Sequence, residues 1–498
     1  MKQNKIKKVV IAGGGTAGWM AAAAISKLLG KNLDISLVES DQIATVGVGE
    51  ATIPALQTFH KLLGIKEPHF MAATQATFKL GIEFKRWKDT QSSYIHSFGA
   101  VGKDCWAAGF QHFWRRGVDL GVNHDYGDYC LELEAAKQNK FAHPNSGNIF
   151  YAYHLDATLY AKYLRKFSET FGVKRIKGKI VEVKTHLHND YIKSLVLESG
   201  QEVEGDLFID CTGFIGLLIE QTLQTGYEDW SHWLPCDSAV AVQTAATQAP
   251  IPYTRSTAHA AGWQWRIPLQ HRVGNGLVYC SKHISDEEAK QTLLNNIEGE
   301  LLTEPRVIKY RTGQRLKHWN KNCVALGLAS GFIEPLESTS IHLIQRGILR
   351  LLFLFPSNGI NDTDVAEYNQ QTKAEIEHIR DFIILHYHVN QRNDSRFWRY
   401  CANMSIPETL AHRISLFKKS SRFYPKDDEL FGEYSWVQVM LGQGIEPEGY
   451  HPIVDMMSED ELHHFLKNIR SSVQQALASM PQHTDYIQQY CKAPPIPI

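Results

Sequence analysis

The sequence predicts an α/β fold, a Rossmann-like nucleotide-binding module with a mostly helical region packed on it. Three observations carry that expectation. Residues 7–12 (KKVVIA), 18–29 and 34–39 (DISLVE) read as a buried strand, a helix and a second strand, a βαβ opening. Residues 206–213 (DLFIDCTG) read as a further strand that ends on a glycine turn. Past about residue 365 the chain is polar with helical periodicity.

The opening turn is Gly13-x-Gly15-x-x-Gly18, placed between strand and helix, which is the context that gives the pattern meaning. Gly13 permits the tight turn, Gly15 lets backbone approach a pyrophosphate, and Gly18 lets helix and strand pack closely. Thr16 and Ala17 start the helix, whose free amides and positive dipole end suit phosphate. Glu39 ends the second strand, 21 residues after Gly18, where an acid holds ribose hydroxyls. The motif alone leaves FAD and NAD open.

Later segments follow in order. Residues 46–54 (VGVGEATIP) suit either a strap beside a flat ligand or an ordinary loop. Thr77-Phe78-Lys79-Leu80-Gly81 sets Lys79 among apolar residues at the start of an alternating strand, Gly81 to Trp87. Lys79 reads as a snorkelling side chain or as a desolvated amine. Residues 154–171 read as a helix, with short strands at 174–198. Asp210-Cys211-Thr212-Gly213 either meets a dinucleotide or simply closes its strand. In GWQWRIP (262–268), Trp263, Trp265 and Ile267 share one strand face, as core or as a wall. In IEPLESTSI (333–341), Ser and Thr read as N-caps of a long buried helix, 338–355, stopped by Pro356. Amides at that helix start make an anion site small enough for a halide, and Glu337 just outside it reads as an ordinary helix-start acid. His386 and His388 alternate like strand residues and read as structural. The tail 493–497 (APPIP) cannot be helical.

Composition narrows the classes. A chain of 498 residues suggests two to three domains. We expect a discontinuous module over 1–360 and a mainly helical region over 361–498. The 52 Lys and Arg against 53 Asp and Glu leave a net charge of −1, so nothing steers the chain to nucleic acid or an anionic membrane. Eight scattered cysteines without C-x-x-C argue against zinc ribbons, iron–sulfur runs and disulfide scaffolds, and we expect no metal and a cytoplasmic setting. Lys2, Lys5, Lys7 and Lys8 before an apolar run imitate a signal peptide, but Gly13 to Gly15 break that run. No run of about 18 uncharged apolar residues exists. Aromatic residues reach 11%, a feature of bulky cores or of pockets that stack on flat rings.

Together the Gly-box, GVGEATIP, TFKLG, GWQWRIP and EPLESTS resemble the flavin-dependent tryptophan halogenases, in family order and over roughly residues 5–450. The resemblance implies an FAD module of the glutathione-reductase and hydroxylase type. It implies that FADH2, O2 and chloride or bromide give hypohalous acid, which passes to Lys79 and halogenates an electron-rich indole. Lys79 falls on the family's catalytic lysine and Glu337 on its essential glutamate. Gly13, Gly15, Thr16, Ala17, Gly18, Glu39, Val48, Gly49, Ala51 and Ser338 fall on the flavin side. Thr339 and Ser340 fall on the halide amides, Trp263 and Trp265 on the wall between flavin and substrate, and His96 and Phe98 on the residues around the indole. Tyr434 and Trp436, with Glu433, stand where the family's amino-acid grip lies.

Two departures bear on substrate. Ser340 stands where the family usually has Gly, and Phe431–Gln438 (FGEYSWVQ) lacks a Tyr–Tyr pair. Tryptophan, free indole and a larger indole all stay open. With no second glycine-rich box, the expected partner is a separate NAD(P)H-dependent flavin reductase supplying FADH2 by diffusion, and a homodimer stays open. The alternative activity is an FAD-dependent aromatic monooxygenase (hydroxylase), and a non-catalytic flavin-binding protein is the third reading.

Overall fold

The computed structural model describes residues 5–42, 49–143, 149–425 and 429–495. They form two compact units, each discontinuous in sequence. The first collects Met1–Ala76, Leu155–Ser231 and Tyr310–Ile376, and the second Thr77–His154, His232–Lys309 and Glu377–Ile498. These units are cut differently from the expected 1–360 and 361–498, because the seven-stranded sheet of the second unit takes its strands from 77–154 and 232–309, both before residue 360.

The first unit is built on a six-stranded sheet in the order Trp319–Asn320, Cys323–Ala325, Leu207–Asp210, Lys8–Ala12, Asp34–Glu39, Lys174–Lys177. Its five main strands are parallel, and only the two-residue strand runs antiparallel. Val9, Val10, Ile11, Ile35, Leu37, Leu207, Phe208 and Ile209 are buried, as in a sheet covered on both faces. The helix Thr16–Leu29 buries Trp19 to Ile25 without interruption, which its alanines permit by fitting close to a neighbour. The segment 154–171 is not one helix. Ala152–Asp156 is a strand, and Asp156 caps the helix Ala157–Thr170 by accepting from Leu159 N–H at 3.0 Å.

The second unit is built on a seven-stranded sheet in the order Arg306–Lys309, Ser238–Ala245, Arg272–Tyr279, Gly262–Pro268, Thr254–His259, Gly81–Lys85, Ser93–Ser97. Thr254–His259 and Gly81–Lys85 pair in parallel, and the other neighbours pair antiparallel. The chain after 362 is helical, including Asp362–His388, Glu433–Gly442, Glu459–Ala478 and His483–Tyr490. His386 and His388 therefore end a 27-residue helix and do not alternate in a strand. His386 stacks on Phe84 at 4.5 Å and shares a 3.1 Å hydrogen bond with Tyr94, so its place is in packing. No helix among the described residues is long and apolar enough to cross a membrane.

Candidate active site

The glycine turn of the first unit is defined by what its missing side chains would strike. Gly13 has φ +110°, and a Cβ there would lie 2.2 Å from Cys211 O. A Cβ on Gly18 would lie 1.9 Å from Gly13 O, so helix and turn meet backbone to backbone. A Cβ on Gly15 would meet nothing within 4 Å. That open side sits at the N-cap of Thr16–Leu29, which has no capping side chain and no acid in its first turn. Uncapped amides beside open space are what a pyrophosphate requires. Thr16 and Ala17 are the first helical residues at this opening. Glu39 ends its strand against Gly14, accepts from Trp19 Nε1 at 3.2 Å and pairs with Arg175. The turn, the open amides and the fixed acid fit a dinucleotide such as FAD.

The strap is only partly visible. Val48 lies outside the described residues, while Gly49 and Ala51 are buried in the short strand Gly49–Ala51. Asp210, by contrast, has no capacity left for a ligand. Its Oδ1 accepts from Thr212 N–H and Oγ1–H at 2.9 and 2.6 Å, and its Oδ2 accepts from Leu218 and Ile219 N–H at 2.8 Å each. The D-x-T-G segment closes its strand and starts the next turn.

Glu337 ends the 3-10 turn Pro335–Glu337 and is fully buried. Ser338 follows at φ +59°, a left-handed conformation that a serine rarely adopts. Thr339 is buried and Ser340 opens the helix Ser340–Phe353. The expected cap is not made: the N-cap residue Thr339 lies in the right-handed helical region, φ −88° and ψ −8°, not in the extended conformation from which a side chain caps, and its side chain makes no cap bond. Among the described residues Thr339 Oγ1 is buried without a partner.

Behind this helix lies a cluster that motif reading missed. Buried Glu375 takes His342 Nε2 at 3.2 Å, Arg346 Nε at 2.8 Å and Arg350 Nη2 at 2.8 Å. Burial alone would raise its carboxyl, but the His342 hydrogen bond and charge, with the two arginines, hold it down at about 2. The available signal was His342, Arg346 and Arg350 at i, i+4 and i+8 on one face of an apolar helix.

The second unit brings together Lys79, Phe98 and His96. Lys79 is 0% exposed. It belongs to its own three-residue strand, Thr77–Lys79, paired antiparallel with Ala152–Asp156, and not to the start of the strand that follows. Its Nζ lies 5.0 Å from the centre of the Phe98 ring, and Phe98 N–H donates to Leu80 O at 2.9 Å. His96, two residues back on Ser93–Ser97, pairs with Ile82 and is buried beside Phe382 and Phe431 at ring distances of 5.7 and 6.2 Å.

His154 stands across from Thr77. Thr77 Oγ1–H donates to Pro268 O at 2.8 Å, so its oxygen accepts from His154 Nδ1–H at 3.1 Å, and His154 Nε2 accepts from Thr254 Oγ1–H at 2.9 Å. Burial first, then the Lys79 charge, then His483 hold His154 well below the ordinary histidine value. His154 is therefore a neutral imidazole beside Lys79.

Trp263 and Trp265 are buried on one face of Gly262–Pro268, 6.2 Å apart at 59°. A Cβ on Gly276 would strike the Trp265 ring at 2.1 Å, so the neighbouring strand is cut to fit it. Tyr434 donates to Asp104 Oδ2 at 3.1 Å, and Glu433 accepts from Gln111 Nε2 at 2.5 Å. Trp436 is 1% exposed, donates its indole N–H to Phe431 O at 3.1 Å and packs edge-on to Phe382 at 4.9 Å. It supports the rings beside His96 from behind. Sequence reading missed Gln438: its Oε1 accepts from Ser97 N–H and Oγ–H at 3.0 and 2.9 Å, and its Nε2 donates to Ser97 O at 3.2 Å. That clamp fixes the residue between His96 and Phe98. Among the described residues no group of His, Cys, Asp or Glu could hold a metal ion.

Comparison with known proteins gives one consistent answer. The family model described as tryptophan halogenase matches residues 8–459. Tryptophan 6-halogenase SttH of Streptomyces toxytricini is 35% identical, over 88% of this chain and 89% of its own. Xcc4156, a flavin-dependent halogenase from Xanthomonas campestris, superposes with a TM-score of 0.98 at 59% identity, covering 99% of this chain and 100% of its own. BrvH, a flavin-dependent halogenase from Brevundimonas sp. BAL3, gives 0.94 at 44% identity, covering 98% and 100%. The hydroxylase alternative finds no such support. The chain belongs to the tryptophan halogenase family and is a flavin-dependent halogenase that uses FADH2 and halide.

Proposed function

We propose that this enzyme halogenates an electron-rich indole, with Lys79 as the residue that delivers the halogen. The observation that carries the reading is the pocket of Lys79, a fully buried amine beside the Phe98 ring with a neutral histidine behind it. A desolvated ammonium donates strong hydrogen bonds, and an amine can carry halogen as a haloamine.

Gly13, Gly15, Thr16, Ala17 and Gly18 would cradle the pyrophosphate of FAD, and Glu39 the ribose. Val48, Gly49, Ala51 and Ser338 would line its other side. When bound, FADH2 reduces O2 while halide is oxidised to hypohalous acid, with water as the second product. The amides of Thr339 and Ser340 would hold the halide, since their helix starts without a side-chain cap. Lys79 then receives hypohalous acid and presents its halogen to one ring carbon. His96 and Phe98 hold the ring flat, and a fixed orientation replaces a diffusive encounter. Glu337 stabilises the cationic ring and accepts the proton that leaves it, a role resting on the family resemblance. Trp263 and Trp265 would wall the oxidant from the ring, and Tyr434 with Trp436 would shape the substrate end.

Family membership implies a tryptophan-like substrate and a separate flavin reductase. We take the reductase to be NAD(P)H-dependent and to deliver FADH2 by diffusion. The relative SttH is a tryptophan 6-halogenase. Here the missing Tyr–Tyr pair favours free indole or a substituted indole over the free amino acid. An aerobic assay with a reductase, FAD and bromide or chloride, against tryptophan, indole and substituted indoles, tests this. The expected product carries halogen and its yield follows halide. A hydroxylated product without halide dependence would refute the proposal.

A further inference from the structure

We propose that the C-terminal helix His483–Tyr490 is a clamp on the strand of Lys79, with His483 as its positioning residue. This rests on Lys79 being the halogen-delivering lysine. Thr77–Lys79 is an edge strand of three residues, and its partner is Ala152–Asp156. The backbone N–H groups on its outer edge therefore need partners from elsewhere. Phe78 N–H donates to His483 Nε2 at 3.2 Å, and Leu80 N–H donates to Pro252 O at 2.7 Å. Both bonds flank Lys79. His483 also joins them, since its Nδ1–H donates to Pro250 O at 2.8 Å. Donating from Nδ1 and accepting at Nε2 requires the neutral ring, and burial holds His483 down at about 4.

The helix is seated by aromatic contacts centred on Phe78. That ring stacks on Phe141 at 3.9 Å and 15°, with Tyr486 and Tyr490 at 5.7 and 6.2 Å. Tyr486 Oη lies 2.7 Å from His143 Nδ1. The chain on either side is tied down: Phe141 N–H donates to Pro481 O at 3.3 Å, His483 N–H donates to Asn139 O at 2.8 Å, and Gln270 holds Cys491 O and Ala493 N–H at 3.1 and 2.9 Å. The helix and its flanking residues, from Pro481 to Ala493, lie beyond residue 459, where the family match ends, and the residues they hold lie within it. Two side chains on the same strand, Phe78 and Lys79, thus have separate tasks. Phe78 is the handle by which the last helix holds the strand, and Lys79 is the group that the handle steadies.

The test compares His483→Phe, which keeps a ring but removes the acceptor and donor, with His483→Gln, which can supply both. Each full-length variant is assayed for flavin reoxidation, trapped free hypohalite, halogenated indole and regioisomer ratio. Labelling of Lys79 by an amine-reactive probe, mapped by mass spectrometry without flavin, adds a reading independent of turnover. His483→Phe is expected to lower halogenated product per flavin oxidised about tenfold, with a matching rise in free hypohalite and faster Lys79 labelling, because a misplacement near 1 Å costs up to about 100-fold. His483→Gln should recover product to within about threefold. Unchanged product and labelling in His483→Phe would overturn the clamp, as would equal losses in both variants that follow only their melting temperatures. Lys79→Ala is the control: if it keeps full product the lysine reading itself fails, whereas if it loses product and His483→Phe does not, only the clamp fails.

Discussion

In the first unit, the glycine turn spans only residues 13–18; its acid, Glu39, is steadied by Trp19, 20 residues away, and by Arg175 on the adjoining strand. In the second unit, it is the neighbours of Lys79 that are held: Phe78 N–H by His483, 405 residues away, Leu80 N–H by Pro252, and His154 by Thr254. The first arrangement works through backbone amides and missing Cβ atoms, the second through side chains that burial keeps neutral. Binding a diphosphate needs only a local turn with bare amides. Placing one amine to within a fraction of an ångström needs supports from several directions.

The largest effect that sharpens this contrast is acid sensitivity. Burial holds His60 and His318 at about 3 in the first unit, and His483 at about 4 in the second. Each has a folded value below the unfolded one, so the unfolded chain binds more protons below pH of about 6.5. Their stabilisation is complete above that pH and is lost as pH falls, down to about 4 for His483 and about 3 for His60 and His318. Each histidine then contributes a slope of about 1.4 kcal/mol per pH unit. Denaturant midpoints should fall between pH 7 and pH 5, and His483→Gln should flatten the fall by about one histidine's share. An unchanged slope in that variant would contradict the burial argument.

Next in size is Gly18→Ala. A Cβ only 1.9 Å from Gly13 O forces backbone apart and should destabilise the apoprotein by about 2–4 kcal/mol. Gly15→Ala should behave differently, because its Cβ meets nothing within 4 Å. The apoprotein should melt unchanged while FAD affinity drops about tenfold, near 1.4 kcal/mol. Equal melting losses in both variants would show that the open side of the turn is not a ligand face. The smallest expected effect is Ser340→Gly. It leaves the backbone amide in place, so the ratio of bromide to chloride turnover should move by no more than about threefold. A larger change would give the Ser340 side chain a direct part in halide choice.

The same contrast explains what could be read from the chain beforehand. The strands Lys8–Ala12 and Asp34–Glu39, the helix between them and the roles of Gly13, Gly15 and Gly18 follow from local pattern and turn sterics. The burial of Lys79 was undecided at that level, because snorkelling and desolvation leave the same local sequence. Its separate strand was hidden for a related reason: Leu80, between Lys79 and Gly81, gives no turn signal. His386 and His388 looked like strand residues because two alternating positions cannot distinguish periods of 2 and 3.6. The D-x-T-G segment left a ligand contact and a plain strand end open, and four internal donors occupy the Asp210 carboxylate. Gln438 and His483 left no trace in any motif, since each acts on backbone far away in sequence.

The claim on which the account turns is that oxidant production and halogen delivery are separate, with Lys79 serving the second. Lys79→Ala tests it in one vessel with a flavin reductase, FAD, bromide and indole under air. Flavin reoxidation, trapped hypobromite and bromoindole are measured together. Reoxidation and total hypobromite are expected to stay within about twofold of the parent enzyme, while bromoindole falls roughly 100- to 10,000-fold. Bromoindole that stays level with hypobromite, or a loss of all three quantities in proportion, would contradict it.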